Sequence, residues 1–182
     1  MRELSLNVLD IAENSFKAKA KTVEVSIIQS GNVLTISIKD DGVGMDEEFL
    51  KRVVDPFTTT RTTRKVGMGI PLFKMVAEQS GGTFDITSEV GVGTTVTATF
   101  MIDNVDRPPL GDIADTIVSM IGNLGDSELI FNFQAFGESF TLDTNEVKRE
   151  LENIPINTPE ILVFLRDMIN ENIKTNCRGV SL

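Results

Sequence analysis

The chain has no histidine, one cysteine and few cations, and each shortage closes off a class of chemistry. Without histidine there is no imidazole general base, no usual zinc site and no phosphohistidine formed on these 182 residues. The lone Cys177 permits neither an internal disulfide nor a cysteine-rich metal centre. Lysine and arginine number 17 against 27 aspartates and glutamates, a net charge of -10. That balance argues against DNA or RNA as a partner, because phosphate backbones call for a basic face. No apolar run approaches the roughly 18 residues of a membrane span. The acidic start MRELSLNVLD also lacks the order of a signal peptide. A cytoplasmic protein with no membrane contact is expected.

What is present is ordinary globular material, 41% hydrophobic and 24% charged, in a chain long enough to form a core without staples. The charge is uneven. Residues 1–100 hold 11 Lys and Arg against 13 Asp and Glu, whereas residues 101–182 hold 6 against 14. The first part is therefore the one able to hold a polyanion. Within it, DPFTTTRTTRKVGMG (residues 55–69) gathers five threonines, two arginines and a lysine ahead of its glycines.

Periodicity divides the chain into elements. Residues 3–18 carry Leu4, Val8, Leu9, Ile11, Ala12 and Phe16 on one helical side and Asp10, Glu13, Asn14 and Lys17 on the other. TVEVSII and NVLTISIKD predict two strands joined by a tight turn at Ser30-Gly31-Asn32. Asp46 caps a short helix to about Val54, which Pro56 stops. GIPLFKMVAEQSGG predicts a helix with Pro71 in its first turn and glycines at its end. FDITSE and TTVTATFMI predict a second hairpin around VGVG. Pro108-Pro109 lies in a boundary, giving units 1–104 and 105–182. In the second unit a helix (111–122), two strands (128–133 and 138–142) and two helices (144–152 and 159–173) are expected.

Three Gly-x-Gly elements carry the candidate chemistry. None is a dinucleotide fingerprint, since Glu47, Leu72 or Val96 stands where a third glycine belongs, and no P-loop pattern occurs. In IKDDGVGM a carboxylate ends a strand ahead of Gly42 and Gly44, which suits an amine-bearing ring; a plain turn is the alternative. Gly67-Met68-Gly69 joins the basic segment to a helix, where backbone N–H groups favour phosphate and Arg61, Arg64 and Lys65 add charge; a solvated loop serves as well. VGVGTT offers hydroxyls to a ring edge, or is a bare hairpin. On the first helix Asp10, Asn14 and Lys17 fall at i, i+4 and i+7. The amide of Asn14 is a hard oxygen ligand suited to magnesium, although on this helix alone the ordinary wet side of an amphipathic helix is the favoured reading of the three.

Taken in order, these motifs closely resemble the GHKL ATPase superfamily (gyrase, heat-shock chaperone, histidine kinase, MutL) over about residues 3–102. The resemblance implies the Bergerat fold: a two-layer α/β sandwich with a mixed sheet covered by helices on one face, plus a small C-terminal α/β appendage. Residues 1–104 would be the ATP-binding domain and 105–182 an acidic extension of unknown role. ATP and Mg2+ are the implied cofactors. Asn14 resembles the magnesium ligand and Asp40 the adenine-amine acceptor. Gly42, Gly44 and Met45 resemble the close-approach loop, and Thr94 the hydroxyl near adenine. Phe57, Thr58, Thr59, Arg61, Lys65 and Val66 look like the ATP lid; Gly67, Met68, Gly69 and Ile70 look like its phosphate-side end.

Within the superfamily PFTTTR and the glycine-helix are most similar to the kinase branch, with Asp10 and Lys17 as candidate catalytic residues. Asp10 stands where hydrolysing branches carry the longer glutamate; either it or Glu13 is the candidate base. The implied activity is a stand-alone kinase acting in trans on a histidine or serine of a protein partner. A non-kinase ATP-dependent binding module, a weak ATPase and a homodimer remain open.

Overall fold

The computed structural model describes residues 3–54, 68–178 and 182. Its elements follow the order α1 (Leu4–Lys17), β1 (Thr22–Ser30), β2 (Val33–Asp40), α2 (Glu47–Val54), α3 (Gly69–Gln79), β3 (Phe84–Glu89) and β4 (Gly93–Met101). Then come α4 (Ile113–Gly122), β5 (Glu128–Ala135), β6 (Glu138–Asp143), α5 (Thr144–Leu151) and α6 (Pro159–Asn176). Every expected element is present within a few residues of its predicted ends. Ser30 pairs with Val33, so the first turn is the two residues Gly31-Asn32, with Gly31 at φ +57° as such a turn requires.

The strands form one mixed sheet of six in the order β3-β4-β2-β1-β5-β6. Only β1 and β5 run parallel. Register places like beside like. One row across all six strands reads Ile86, Val96, Ile38, Val25, Phe131 and Leu142, and the row one residue away reads Asp85, Thr97, Ser37, Ser26, Asn132 and Thr141. Because strand side chains alternate, the first row faces the helices and the second faces away from them. The core is accordingly built from buried Val23, Val25, Ile27, Leu34, Ile36, Ile38, Phe100, Phe131 and Phe133. Fully burying each such side chain contributes roughly 1.5–3 kcal/mol. Helices α3, α1, α4 and α6 pack in succession over that apolar face, giving the expected two layers.

The extension continues the sheet of the first unit. Strand β5 pairs with β1 from Thr22↔Glu128 to Ile28↔Gln134, and α4 packs on α1. The same region caps α1. Glu3, at the N-cap, makes no side-chain capping bond to the backbone N–H groups of its helix. Instead the N–H groups of Leu4 and Ser5 donate to the carbonyls of Pro109 (3.0 Å) and Leu110 (2.9 Å). Two of the four donors that any helix start leaves orphaned are thereby satisfied from the segment between the units. The Leu110 N–H in turn donates to the Leu182 carbonyl at 3.0 Å.

A chain ending at residue 104 would turn β1 into an edge strand, uncap α1 and bare the side of α1 under α4. Its melting temperature is expected to fall by more than ~10 °C. An unchanged melting temperature and cooperativity would show that the first unit stands without the second.

Candidate nucleotide site

The C-terminal end of β2 carries Asp40, which is 8% exposed and therefore needs partners for its oxygens. It has three. Oδ1 accepts from the backbone N–H of Gly42 (2.9 Å) and of Thr94 (3.3 Å), and Oδ2 accepts from the Ser15 hydroxyl (2.5 Å). Strand β2, the loop after it, strand β4 and helix α1 thus converge on one carboxylate.

Glycine is required where these strands close in. A Cβ on Gly93, at φ +135°, would lie 2.0 Å from the Asp40 carbonyl oxygen. One on Gly44, at φ +68°, would lie 1.9 Å from the Glu89 carbonyl oxygen. Gly42 is less extreme, its would-be Cβ meeting the Ala18 carbonyl oxygen at 2.9 Å. The loop is tied down on both sides, with the Val43 N–H donating to Ala18 O (3.1 Å) and the Val43 carbonyl accepting from Gly91 N–H (2.8 Å). A hydroxyl pair completes this end of the sheet. Ser88 Oγ accepts from the Met45 N–H (2.9 Å) and lies 2.8 Å from Thr94 Oγ1.

A second group gathers where α1 meets α3. Gly69 opens α3 so close to α1 that a Cβ on it would sit 3.2 Å from Asp10 Cβ. Met68 precedes it with no side-chain cap, and Pro71 follows in the first turn. The N-terminus of α3, with its partial positive charge, therefore lies beside the exposed Asp10. Asn14 is half-buried one turn along α1, and Ile70 is buried at the start of α3. Lys17 is at the solvent end of α1, its ammonium 3.2 Å from Glu13 Oε2. Both partners of that pair are more than half exposed, so it contributes little. No group of three or more acidic, histidine or cysteine side chains able to hold a metal unaided occurs among the described residues.

The expected site residues thus fall into two groups: Asp40, Gly42, Gly44, Met45 and Thr94 at the sheet end, and Asp10, Asn14, Met68, Gly69 and Ile70 where α1 meets α3. The expected lid positions Phe57, Thr58, Thr59, Arg61, Lys65, Val66 and Gly67 lie outside the described residues. Sequence reading missed Ser15 and Ser88. The available signals were faint: Ser15 directly follows Asn14, and Ser88 ends the strand before VGVG.

Against known proteins, residues 1–104 match the family model described as histidine kinase-, DNA gyrase B-, and HSP90-like ATPase, more than half of the chain. The chain belongs to this family. Its curated relatives include a putative sensor protein of Shewanella frigidimarina, 28% identical over 107 residues, which are 58% of this chain and 16% of that protein. The probable C4-dicarboxylate sensor kinase of Bacillus subtilis is 30% identical over 97 residues, 52% of this chain and 18% of the relative. Sensor protein SrrB of Staphylococcus aureus is 34% identical over 100 residues, 52% of this chain and 17% of the relative. This GHKL protein therefore spans under a fifth of the length of each of these three relatives.

Among solved structures, the Aquifex aeolicus MutL ATPase domain complexed with ADP superposes with a TM-score of 0.54. It is 18% identical, and the match covers 81% of this chain and 66% of that one. The N-terminal domain of a DNA repair protein gives 0.55 at 14% identity, covering 79% of this chain and 53% of that one. Both likenesses establish the fold. Both also cover more of the chain than residues 1–104, so part of the shared architecture lies in the extension.

The glycines provide a test of the close approach. Gly93→Ala is expected to destabilise the protein by at least about 2 kcal/mol, through both strain and overlap with Asp40. Gly91→Ala, at φ +80° with open space around it, should cost only about 1 kcal/mol. Urea unfolding of the two variants measures the difference; equal losses would contradict the geometry.

Proposed function

We propose that this GHKL protein binds Mg-ATP and acts as a kinase in trans, passing the γ-phosphoryl group to a histidine or serine of a separate protein. The observation that carries the nucleotide reading is Asp40, a buried carboxylate whose three internal donors leave acceptor capacity for an exocyclic amine. The sheet-end loop held beside it suits a flat ring. Asn14 would contribute an amide oxygen to magnesium. The lack of an acidic cluster among the described residues fits an ion completed by waters and phosphate oxygens. When bound, that ion supplies charge neutralisation at the phosphates. The N-terminus of α3 supports phosphate on the same side.

The kinase reading draws on the sensor-kinase relatives and on Asp10. These 182 residues contain no histidine, so a histidine acceptor would have to lie outside them. The carboxylate of Asp10 is one methylene shorter than a glutamate there, which holds it back from a water and spares the phosphoryl group for a protein acceptor. General-base help is worth about 10²–10⁴-fold and depends on reach. A serine acceptor must give up its proton, for which Glu13 is the alternative base to the short Asp10, whereas an imidazole nitrogen attacks in its neutral form. A second reading, an ATP-dependent binding module, is favoured by one observation: α4 of the acidic extension packs directly on α1. The extension thereby touches the helix that carries Asp10 and Asn14.

Asp40→Ala should weaken ATP binding about 10–150-fold by calorimetry, the equivalent of a charged hydrogen bond worth about 1.5–3 kcal/mol. Equal affinity would remove the base assignment. Labelled ATP with candidate partner proteins then separates the two activities. Label on a partner supports the kinase, binding without transfer supports the module, and unaided phosphate release at or above about 10 s⁻¹ would reject the kinase in favour of a hydrolysing ATPase.

A further inference from the structure

Ser15 has no role in the reading above, yet its hydroxyl makes the shortest of the three bonds to Asp40. The two side chains are 4% and 8% exposed and lie 25 residues apart in sequence. A serine inside a helix commonly returns its proton to the carbonyl one turn back. Ser15 sends its proton across to another layer instead. The direction of that bond is fixed, because a carboxylate only accepts and a hydroxyl has one proton to give. Oδ1 is already engaged by two backbone N–H groups. The hydroxyl on Oδ2 then fixes the remaining rotation of the carboxylate and leaves on that oxygen a single open direction. The serine oxygen keeps its own lone pairs. An acceptor oxygen on Asp40 and an acceptor oxygen on Ser15 stand 2.5 Å apart, with no proton left to offer a ligand.

We propose that Ser15 is a positioning residue that fixes the orientation of the acceptor-only Asp40 carboxylate, so that the pocket takes 6-aminopurine nucleotides and turns away 6-oxopurines. This rests on the assignment of Asp40 to the base. An amine at position 6 donates to the open direction of Oδ2. A carbonyl oxygen there would meet two acceptor oxygens whose one shared proton is already committed between them and would be left buried and unpaired, the arrangement that discriminates most strongly in a closed site. Without Ser15 the carboxylate keeps its backbone donors but regains freedom to turn from an incoming oxygen. Selectivity therefore falls further than stability or general affinity. Ser15 also neighbours Asn14 on α1, so the same bond holds the proposed metal ligand at a fixed distance from the proposed base site.

The experiment measures ATP and ITP affinity by calorimetry for the intact chain and for Ser15→Ala, Ser15→Thr, Asp40→Ala and the double variant Ser15→Ala/Asp40→Ala. Circular dichroism confirms that each is folded. Ser15→Ala should weaken ATP about 10-fold and reduce the preference for ATP over ITP by at least about 10-fold, with Ser15→Thr restoring the preference because it restores the hydroxyl. In the Asp40→Ala background the serine should change ATP affinity by less than about 3-fold, since no carboxylate remains to be positioned. A Ser15→Ala variant that loses ATP and ITP equally has merely loosened the helix, and overturns the proposal. So does one that leaves both affinities unchanged while Asp40→Ala weakens ATP; in that case the base assignment survives and only the serine falls. If Asp40→Ala itself leaves ATP affinity intact, the base assignment fails and the role of Ser15 goes with it.

Discussion

Helix α1 is fastened at both ends to parts of the chain far from it in sequence, and the arrangement of everything else follows from that. Its first N–H groups rest on the carbonyls of Pro109 and Leu110, and near its last turn Ser15 is bonded to Asp40. Between those points Leu4, Val8, Ile11 and Ala12 are buried against the sheet. The helix therefore has little freedom to slide or rotate, and the polar side it turns outward is held in register with the end of β2. Burial alone would not achieve this, because apolar contact is non-directional. The directional hydrogen bonds at the ends set the position, and the apolar stripe supplies the adhesion.

The two groups of candidate residues differ in how they are built. The sheet-end group is made by strand register: Asp40 opposite Thr94, and Ser88 opposite Thr94, are consequences of pairing that runs unbroken from Val33↔Met101 and Phe84↔Ala98. The group around Asp10 is made by close helix approach, permitted because residue 69 has no side chain. A rigid end and a helix-borne end on one protein suit a ligand with a flat base and a flexible tail. Preorganisation is worth most where hydrogen-bond geometry selects the ligand.

Much of this was readable in the amino acids. Alternation in TVEVSII and NVLTISIKD, with Gly31-Asn32 between them, defined the first hairpin, and the 3.6-residue stripe defined α1, because in each case the pattern and the element occupy the same few residues. The glycine pairs were legible as tight places, and the required conformations at Gly44 and Gly93 agree. What local pattern does not carry is who sits beside whom. Nothing in ELIFNF says that it will lie parallel to TVEVSII, since a buried strand shows the same alternation whichever neighbour it has. The merging of the extension into the sheet was invisible for that reason. Ser15 was equally hidden, as one serine whose acceptor is determined only once α1 crosses the end of β2.

The parallel pairing of β1 with β5 carries a temporal consequence. The contact between Ser26 and Asn132 spans 106 residues, so the centre of the sheet joins segments far apart in the chain. During synthesis the first hairpin can close at once, but the seat next to β1 stays vacant until β5 is made. Non-local parallel pairing is slow because a long loop must be closed before any contact rewards it. For that interval the bonding edge of TVEVSIIQS is open to any passing strand, and its best protection is Glu24, a charge in an otherwise uncharged strand. The same connectivity that welds the two units together in the finished molecule makes its newborn form the one most exposed to mispairing.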